Sequence, residues 1–434
     1  MSISLADVNA SMVPSTSVVS VGMPGAVLLG GPRHRLDLSE HHRQRGDERF
    51  IEPQELLEEI RASGLLGRGG GAFPLATKID TALECAGPRV LIINLAESEP
   101  LSAKDATLVS LRPHLVLDGA RAIASILGVP RVSFLVHGGS APGLRSLELA
   151  LDERRGEDKD PEWKVVLGDP RYVAGESSAV ASKVAGGPSL PLATRVPLAV
   201  RGPSGSPTVV TNAETAAHVA MILRLGSSAW RAHGPSSDAG SRLLTLVGSV
   251  RRSGEVVELL GAVTIGELLK AHGVSEIPAA VLIGGFGGRW IDGETAWNAE
   301  ASVAGLGEIG ATFGCGLVGV IPRGGCVVGE VARLARYLAD ESAGQCGPCA
   351  LGLPAIADDL ERVASGRGRP RHVRRLLDLA GEIEGRGACG HPDAAIAMVR
   401  SGLRAAGDDL GVHLAGTTCG GMLGALHIDE DPNR

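Results

Sequence analysis

The stretch that decides the fold reads Val90-Leu91-Ile92-Ile93-Asn94-Leu95-Ala96-Glu97-Ser98-Glu99-Pro100. Its first four residues are apolar, which is typical of a strand buried on both faces of a sheet. Polar and acidic residues follow at once. Open α/β sheets bind their ligands at this position, outside the carboxyl ends of the strands. We therefore expect Asn94, Glu97 and Glu99 to lie at a binding site.

Segments of strand and helix alternate around this stretch. A helix signal begins at Pro53 and ends at Gly64, because proline suits the first turn and glycine the position after the last. The alternation predicts an α/β domain over 51–238 with a parallel or mixed sheet. Residues 1–50 are rich in Ser, Pro and charge, and are predicted to be a loose extension. The further strands are 132–136 and 165–167, and the helices are 115–127 and 144–151.

The texture changes after the α/β domain. Short strands at 243–247, 256–259 and 280–283, with a helix at 265–271, predict a small α+β module over 239–324. Residues 325–408 are predicted to form a four-helix bundle, and 409–434 a tail. The bundle helices are placed at about 328–341, 350–365, 370–384 and 392–406.

The composition excludes several classes of protein. A formal net charge of -7 over 434 residues gives no basic surface for nucleic acid. No apolar run is long enough to insert in a membrane, and the N-terminus lacks the order of a signal peptide. The expected compartment is therefore the cytoplasm. Seven cysteines in a reducing compartment indicate metal ligands rather than a disulfide framework.

The cysteines give the strongest chemical signal. Cys346 and Cys349 are separated by Gly347-Pro348, and Cys389 follows 40 residues later. A C-x-x-C turn lets two sulfurs bind one centre, either zinc or an iron–sulfur cluster. The alternative is a set of small buried residues. A thioredoxin-like redox pair fits less well, because helices surround the motif.

A glycine-rich loop follows the first predicted helix of the α/β domain. It reads Gly64-Leu65-Leu66-Gly67-Arg68-Gly69-Gly70-Gly71-Ala72-Phe73-Pro74, and Lys78 comes shortly after. Successive glycine N–H groups can surround a phosphate, and a lysine can neutralise it. A plain surface turn would have the same composition. Tyr172-Val173-Ala174-Gly175-Glu176 and Val210-Thr211-Asn212 place further polar groups after apolar stretches.

These motifs, in this order, resemble the NADH- and FMN-binding F subunit of respiratory complex I. The related diaphorase subunits of hydrogenases and formate dehydrogenases share them. The glycine loop is similar to the family's G-L-R-G-R-G-G-A-G-F-P-T-G-L-K, and Asn94 to Pro100 resembles N-A-D-E-S-E-P. The cysteine segment resembles E-S-C-G-x-C-x-P-C. The resemblance covers about residues 50–406.

The resemblance implies a fold, cofactors and site residues. The fold is an α/β FMN-binding domain, a ubiquitin-like soluble-ligand-binding module, and a helical domain that holds an iron–sulfur cluster. Phe73 and Glu99 would lie on the nicotinamide side of the site. Cys346, Cys349 and Cys389 would bind the cluster. The implied FMN contacts are Gly67, Arg68, Gly69, Lys78, Asn94, Glu97, Gly175, Glu176 and Asn212.

The chain departs from the family at the cluster. Ala343 stands where the family has its first cluster cysteine, and alanine cannot bind iron. Three thiolates can hold a [3Fe–4S] cluster, or a [4Fe–4S] cluster with a non-cysteine ligand such as water or Ser342. Cys326 and Cys419 are the spare cysteines by type, and an empty site is the remaining alternative.

The chain also departs from the family on the nicotinamide side. Ala96 replaces an aspartate of the family and Ser177 replaces a glutamate, while Ile79 and Thr81 lie where an adenine-stacking aromatic is expected. Loss of the glutamate would admit NADPH, with Arg195 as a partner for the additional phosphate. The sequence therefore does not decide whether the protein uses a nicotinamide nucleotide.

Three functions follow from the resemblance and its departures. The first is electron transfer from NADH or NADPH through FMN to the cluster, and on to a ferredoxin or an iron–sulfur partner subunit. The second is ferredoxin-linked transfer through the flavin without a nicotinamide. The third is a scaffold subunit that has lost its chemistry. The flavin and cluster cofactors would carry the redox steps, so no side chain is predicted to be catalytic.

Overall fold

The computed structural model describes residues 19–21, 25–46, 48–137, 141–194, 196–236 and 238–428. The strands are β1 (Val19–Val21), β2 (Val90–Leu95), β3 (Arg131–His137), β4 (Glu162–Gly168), β5 (Thr208–Asn212), β6 (Arg242–Gly248), β7 (Glu255–Leu259), β8 (Ala280–Ile283), β9 (Arg289–Asp292) and β10 (Leu317–Ile321). The helices are α1 (Leu38–Arg45), α2 (Pro53–Ser63), α3 (Leu75–Glu84), α4 (Lys104–Leu111), α5 (Pro113–Leu127), α6 (Ala141–Glu153), α7 (Ser177–Val184), α8 (Ala213–Leu225), α9 (Ser227–Arg231), α10 (Ile265–Ala271), α11 (Gly293–Asn298), α12 (Val303–Glu308), α13 (Val327–Asp340), α14 (Leu353–Ala364), α15 (Pro370–Ile383), α16 (His391–Ala405) and α17 (Asp408–Leu414).

The first sheet is parallel, and its strand order is β4-β3-β2-β5. Helices cover both faces, so alternate residues of β2 enter different cores. Leu91 and Ile93 belong to the larger core with α5 and α8, whereas Ile92 packs with Val180 of α7. This arrangement confirms the α/β domain, and it explains why β2 is apolar at successive positions.

The N-terminal segment differs from the loose extension that the sequence predicts. Leu28 and Leu36 are fully buried in the described range 25–46. The backbone N–H groups of residues 27–29 donate to the buried carboxylate of Glu258, at 2.8–2.9 Å. Arg112 donates to the carbonyls of Leu29, Gly30 and Pro32. Buried charged side chains thus provide hydrogen-bond partners for backbone groups that lie outside helices and strands.

The second sheet is mixed, in the order β1-β7-β6-β10-β8-β9. The sequence predicts β6, β7 and β8 to within one residue. It does not predict β9 or β10, and β10 lies in the glycine-rich run 309–321. β10 pairs with β6 in parallel and with β8 in the antiparallel direction. Because this run is rich in glycine, its sequence does not indicate a strand, although β10 is a central strand of the sheet.

The helices α13 to α16 begin and end within a few residues of their predicted limits. They pack against the second sheet through one apolar core that includes Leu282, Trp290 and Leu317. A π-helical turn at Pro348–Gly352 precedes α14. Residues 415–428 return to this core, where Leu426 is fully buried. Among the residues described, no helix is long and apolar enough to cross a membrane.

Candidate functional site

The carboxyl ends of β2 and β5 meet at one edge of the parallel sheet. Asn94 and Asn212, the last polar residues of these strands, are register partners. The chain runs from β2 to β3 and β4 on one side, and returns to β5 on the other. The order of strands therefore reverses between β2 and β5, which is where open α/β sheets bind their ligands.

A cleft of about 620 Å³ opens at this edge, within the range of small-molecule and cofactor sites. The parallel sheet forms one wall, and the second sheet and the helical region form the other. Seven predicted site residues and one predicted cluster ligand line it. They are Gly69, Asn94, Glu97, Glu99, Gly175, Glu176, Asn212 and Cys389.

Asn94 and Asn212 hold the backbone around the cleft. Asn94 donates through Nδ2 to the carbonyl of Gly175 at 3.0 Å and accepts from the N–H of Ala96. Asn212 caps α8 by accepting from Thr215, and it donates to Asp105. A side chain at Gly175 would place its Cβ 2.2 Å from Ser98 Oγ. Only glycine therefore permits this approach of two loops beneath the cleft.

The two glutamates at the sheet edge act as helix caps. Glu97 accepts from the N–H groups of Asp105 and Ala106 in the first turn of α4, and from Ser102 Oγ. Burial and the charge of Asp105 raise the pKa of Glu97. Glu176 accepts from the N–H groups of Ser178 and Ala179 at the start of α7. Their carboxylates are therefore already engaged by the fold.

The glycine-rich loop closes on itself before α3. The N–H of Gly67 donates to the carbonyl of Phe73, and Leu75 donates to Leu65. Arg68 points away from the cleft. Its guanidinium is buried, where it donates to the carbonyl of Ala239 and lies 3.5 Å from Asp238. The structure thus gives the Arg68 side chain an internal partner, and Gly67 does not line the cleft.

Lys78 lies in the first turns of α3, just after the glycine loop. Its Nζ donates to the carbonyl of Val210 at 2.9 Å, and burial lowers its pKa. No carboxylate in the described ranges lies within ion-pair distance of it. Lys78 does not line the cleft. A half-buried ammonium that has no counter-charge among the described residues fits an anionic group such as the phosphate of FMN.

The residues predicted on the nicotinamide side are not brought together. The side chain of Phe73 is half exposed, and Ser177 is exposed at the start of α7. Neither lines the cleft. Arg195 lies outside the described residues. Glu99, by contrast, is buried at the base of the cleft.

Glu99 lies between the two walls. Its Oε2 accepts from the N–H of Phe286 at 3.0 Å and lies 3.5 Å from the hydroxyl of Tyr172, while its Oε1 is buried without a partner. Burial raises the pKa of Glu99 to about 8. The Cys315 thiol lies 3.8 Å from the same oxygen. Glu99 is therefore largely protonated at neutral pH and can hold a proton at the cleft.

Sequence reasoning missed one charged network and much of the second wall. Lys104 Nζ lies 2.9 Å from Asp105 and 2.8 Å from Glu214, all of them buried. Burial opposes ionisation of Glu214, but the charge of Lys104 prevails and lowers its pKa to about 2. The second wall contains the loop Gly284-Gly285-Phe286-Gly287-Gly288. This glycine run directly after an apolar strand was the available signal.

The three predicted cluster cysteines lie together at the start of α14 and α16. Burial opposes ionisation of Cys346, but the backbone amides of Ala388 and Cys349 lower its pKa. Burial raises the pKa of Cys349 to about 12, and the neighbouring Cys346 and Cys389 act on it too. The three thiols thus interact with one another, and cysteine sulfurs are the donors that an iron–sulfur cluster needs. Ala343 brings no ligand there, but the buried Ser342 hydroxyl interacts with Cys349.

Comparison with known proteins agrees with this geometry. Residues 60–221 match the family model of the Nuo51 FMN-binding domain. Residues 330–413 match that of the NADH-ubiquinone oxidoreductase-F iron–sulfur binding region. The second match spans Cys346, Cys349 and Cys389.

Curated relatives and solved structures extend the match. The chain is 30% identical over 402 residues to the F subunit of NADH-quinone oxidoreductase from Mycobacterium tuberculosis, covering 87% of this chain and 90% of that protein. It is 29% identical to one of two F subunits of the same enzyme from Rhizobium meliloti, covering 81% and 85%. An NAD+-reducing [NiFe]-hydrogenase in the H2-reduced state superposes with a TM-score of 0.76 at 28% identity, over 81% of this chain and 61% of that one.

The fold and the site define a class: a flavin- and iron–sulfur-dependent electron-transfer protein, with FMN and a 4Fe–4S cluster as cofactors. The chain belongs to the family of NADH-quinone oxidoreductase F subunits, whose members are oxidoreductases. The resemblance stated from the sequence is thereby confirmed.

Proposed function

We propose that the chain takes electrons from NADH or NADPH at the cleft and delivers them, by way of FMN, to an iron–sulfur cluster at Cys346, Cys349 and Cys389. One observation carries the proposal. Cys389 lines the same cleft as Asn94, Glu97 and Gly175. A flavin at the sheet edge would therefore face the cluster ligand directly across the cleft. FMN, when bound, supplies the exchange between hydride transfer and single-electron transfer.

The sheet-edge wall would bind the flavin mainly through backbone and charge. Gly69 and Gly175 line the cleft without a side chain, and Asn94 and Asn212 would keep that backbone in place. Lys78 would pair with the phosphate. Gly67, Arg68, Glu97 and Glu176 would act through the loops and helix starts that they support.

The nicotinamide would enter above Glu99, with Phe73 at the outer rim. Ser177 leaves this rim without the carboxylate of the family, so a 2′-phosphate would meet no like charge there. The protein's own contribution is to exclude water at the buried base of the cleft. Because its pKa is about 8, Glu99 would also hold a proton close to the ring.

At the cluster, the three cysteines would bind iron and Ser342 is the nearest candidate for the fourth ligand. The relatives are named as subunits of a quinone oxidoreductase. We therefore infer that electrons leave to a ferredoxin or an iron–sulfur partner subunit, in the cytoplasm. We infer the same domain limits as the sequence predicts, with a ubiquitin-like module at 239–324 and a helical iron–sulfur domain at 325–408.

An anaerobic absorption spectrum of the purified protein tests the proposal. Flavin and iron–sulfur bands are expected, and NADH or NADPH should bleach both. The flavin assignment is wrong if protein supplied with excess FMN retains none. The nicotinamide assignment is wrong if neither nucleotide bleaches the flavin while a reduced ferredoxin does.

The second candidate is ferredoxin-linked transfer without a nicotinamide. It is favoured by the nicotinamide side itself, where Phe73 and Ser177 are exposed and Ala96 offers no carboxylate. A scaffold without chemistry is disfavoured, because Lys78 and the three cysteines remain.

A further inference from the structure

A second group of metal-binding side chains lies away from the cleft. Cys326 precedes α13, His413 lies in α17, and Cys419 lies in the segment that follows α17. Their ligand atoms all lie within 4.8 Å of one another, and no other three His, Cys, Asp or Glu residues of the described ranges meet so closely. We propose that Cys326, His413 and Cys419 bind a zinc ion that fastens the C-terminal segment to the helical region.

The spacing suits a single ion. Zinc binds sulfur at about 2.3 Å and imidazole nitrogen at about 2.0–2.1 Å in tetrahedral geometry, so neighbouring ligand atoms lie roughly 3.5–4 Å apart. Cys326 Sγ is 3.4 Å from His413 Nε2. The three donors therefore need only small shifts to bind zinc. A donor set of two sulfurs and one imidazole is one that zinc prefers.

The imidazole is oriented as a metal ligand. His413 Nδ1 lies 3.2 Å from the carbonyl of Val363, and a carbonyl can only accept. Nδ1 must therefore carry the proton, which leaves the lone pair on Nε2, facing Cys326. Metal-binding histidines commonly donate their second nitrogen to a backbone carbonyl in this way. The ring is buried, with 1% of its surface exposed, so it cannot turn to solvent instead.

A backbone N–H lies beside each of the two sulfurs. The N–H of Gly329 points at Cys326 Sγ at 3.2 Å, and the N–H of Gly421 points at Cys419 Sγ at 3.4 Å. Cys326 also precedes the fourteen-residue helix α13, whose N-terminus favours negative charge. Two thiolates would neutralise one divalent ion, which makes the buried centre neutral as a whole.

The three ligands lie where the C-terminal segment meets the helical region. Cys326 donates through its N–H to the carbonyl of Met422, and Glu330 accepts from the N–H groups of Gly424 and Ala425. A Cβ at Gly421 would lie 2.8 Å from Cys326 N. This close contact depends on a few hydrogen bonds, and a shared zinc ion would hold both sides of it by coordination bonds.

The main alternative is a disulfide between Cys326 and Cys419, in which each thiol loses a proton and an electron to an oxidant. A disulfide needs no histidine. Zinc binding needs His413 and no oxidant. The role of His413 therefore separates the two.

The test is zinc content by mass spectrometry, with zinc-edge X-ray absorption on the full-length protein purified anaerobically without chelator. We expect about one zinc per chain, bound by two sulfurs and one imidazole nitrogen. Cys326→Ser, His413→Ala and Cys419→Ser should each lose most of this zinc and keep the cluster iron. Cys85→Ser should lose neither, and Cys346→Ser should lose iron but keep zinc.

Three results would overturn the proposal. The first is a zinc content that His413→Ala and Cys419→Ser leave unchanged, and the second is wild-type protein that contains no zinc after growth with added zinc. The third is a mass deficit that shows a disulfide between Cys326 and Cys419. If the variants do not fold, the wild-type protein decides. Chelation should then expose 415–428 to protease with the flavin spectrum intact, and equal cleavage with and without chelator would refute the site.

Discussion

The sheet edge and the cysteine site differ in how far the fold already satisfies their side chains. At the sheet edge, Asn94, Glu97 and Asn212 each bind backbone or side-chain groups of this chain. At the cysteine site, the thiols of Cys346, Cys349 and Cys389 interact mainly with one another, with a few backbone amides and with the Ser342 hydroxyl. The sheet edge is therefore preorganised by contacts within the chain. The thiols of the cysteine site, by contrast, need a bound cofactor as their partner.

This difference predicts how each site responds to substitution. A cluster is bound by a few strong bonds to side-chain sulfurs, so the loss of one ligand is severe. A flavin at the sheet edge would be bound by many backbone groups, so the loss of one side chain weakens binding by a limited factor.

Cys389→Ala should remove nearly all cluster iron, because only two thiolates remain. Iron and sulfide analysis with EPR measures this. Cys85→Ser is the matched control, since Cys85 directly follows α3 and belongs to neither group of cysteines. Iron content indifferent to Cys389→Ala would exclude Cys389 as a ligand, and the contrast between the two sites would fail.

Glu99→Gln should change the pH dependence of stability. Between about pH 4.5 and 8, Glu99 is ionised in the unfolded chain but protonated in the folded protein. The free energy of unfolding therefore falls as pH rises through this window. The substitution should remove a fall on the order of a few kcal/mol, although Glu97 retains a similar trend. Urea unfolding across this pH range measures it, and parallel pH profiles would contradict it.

Lys78→Ala should weaken FMN binding about tenfold or more, because a charge-assisted hydrogen bond contributes about 1.5–3 kcal/mol. Flavin released by heat and measured by fluorescence gives the occupancy. Lys159→Ala removes an exposed lysine and serves as the control. An occupancy equal to that of the control would mean that the phosphate binds elsewhere.

Ala343→Cys should change the ligands of the cluster rather than its presence. The added thiolate restores the family's first ligand, so EPR should show a conventional [4Fe–4S] site. Ser342→Ala in the wild-type background tests the other candidate for this position. If Ala343→Cys leaves the EPR spectrum unchanged, residue 343 does not reach the cluster.

Ser177→Glu should have the smallest effect. A carboxylate near a 2′-phosphate costs about 1 kcal/mol in a solvent-like dielectric, so NADPH turnover should fall several-fold while NADH turnover holds. Ser177→Gln is the neutral control of matched size. Equal losses with both nucleotides would show that charge is not the reason.

The sequence predicts the parts of this molecule that local rules control. Buried apolar runs locate β2 and β3, proline and glycine locate the ends of α2, and α5 begins two residues before its predicted start at 115. The sequence also has polar residues after apolar stretches at Asn94 and Asn212, but it does not predict that the second stretch is strand β5, which pairs with β2. The motif resemblance adds the cysteine site.

Long-range contacts decide what the sequence does not predict. The inward turn of Arg68 depends on Asp238 and Ala239, far away along the chain. The burial of residues 27–29 depends on Glu258, and β10 pairs with β6 and β8 despite its glycines. A sequence motif also does not show which residues are exposed. Phe73 and Ser177 could therefore be named as site residues, but their exposed positions could not be predicted.

The contact between residues 27–29 and Glu258 has a consequence for synthesis on the ribosome. Glu258 follows Leu28 by 230 residues in the chain. Residues 27–29 therefore leave the ribosome long before their carboxylate partner does. Until Glu258 emerges, their N–H groups lack this partner, and Leu28 lacks its core neighbours Val256 and Leu260. Non-local contacts of this kind form late and slow the final step of folding. Residues 27–29 can thus reach their final position only after β7 has been translated.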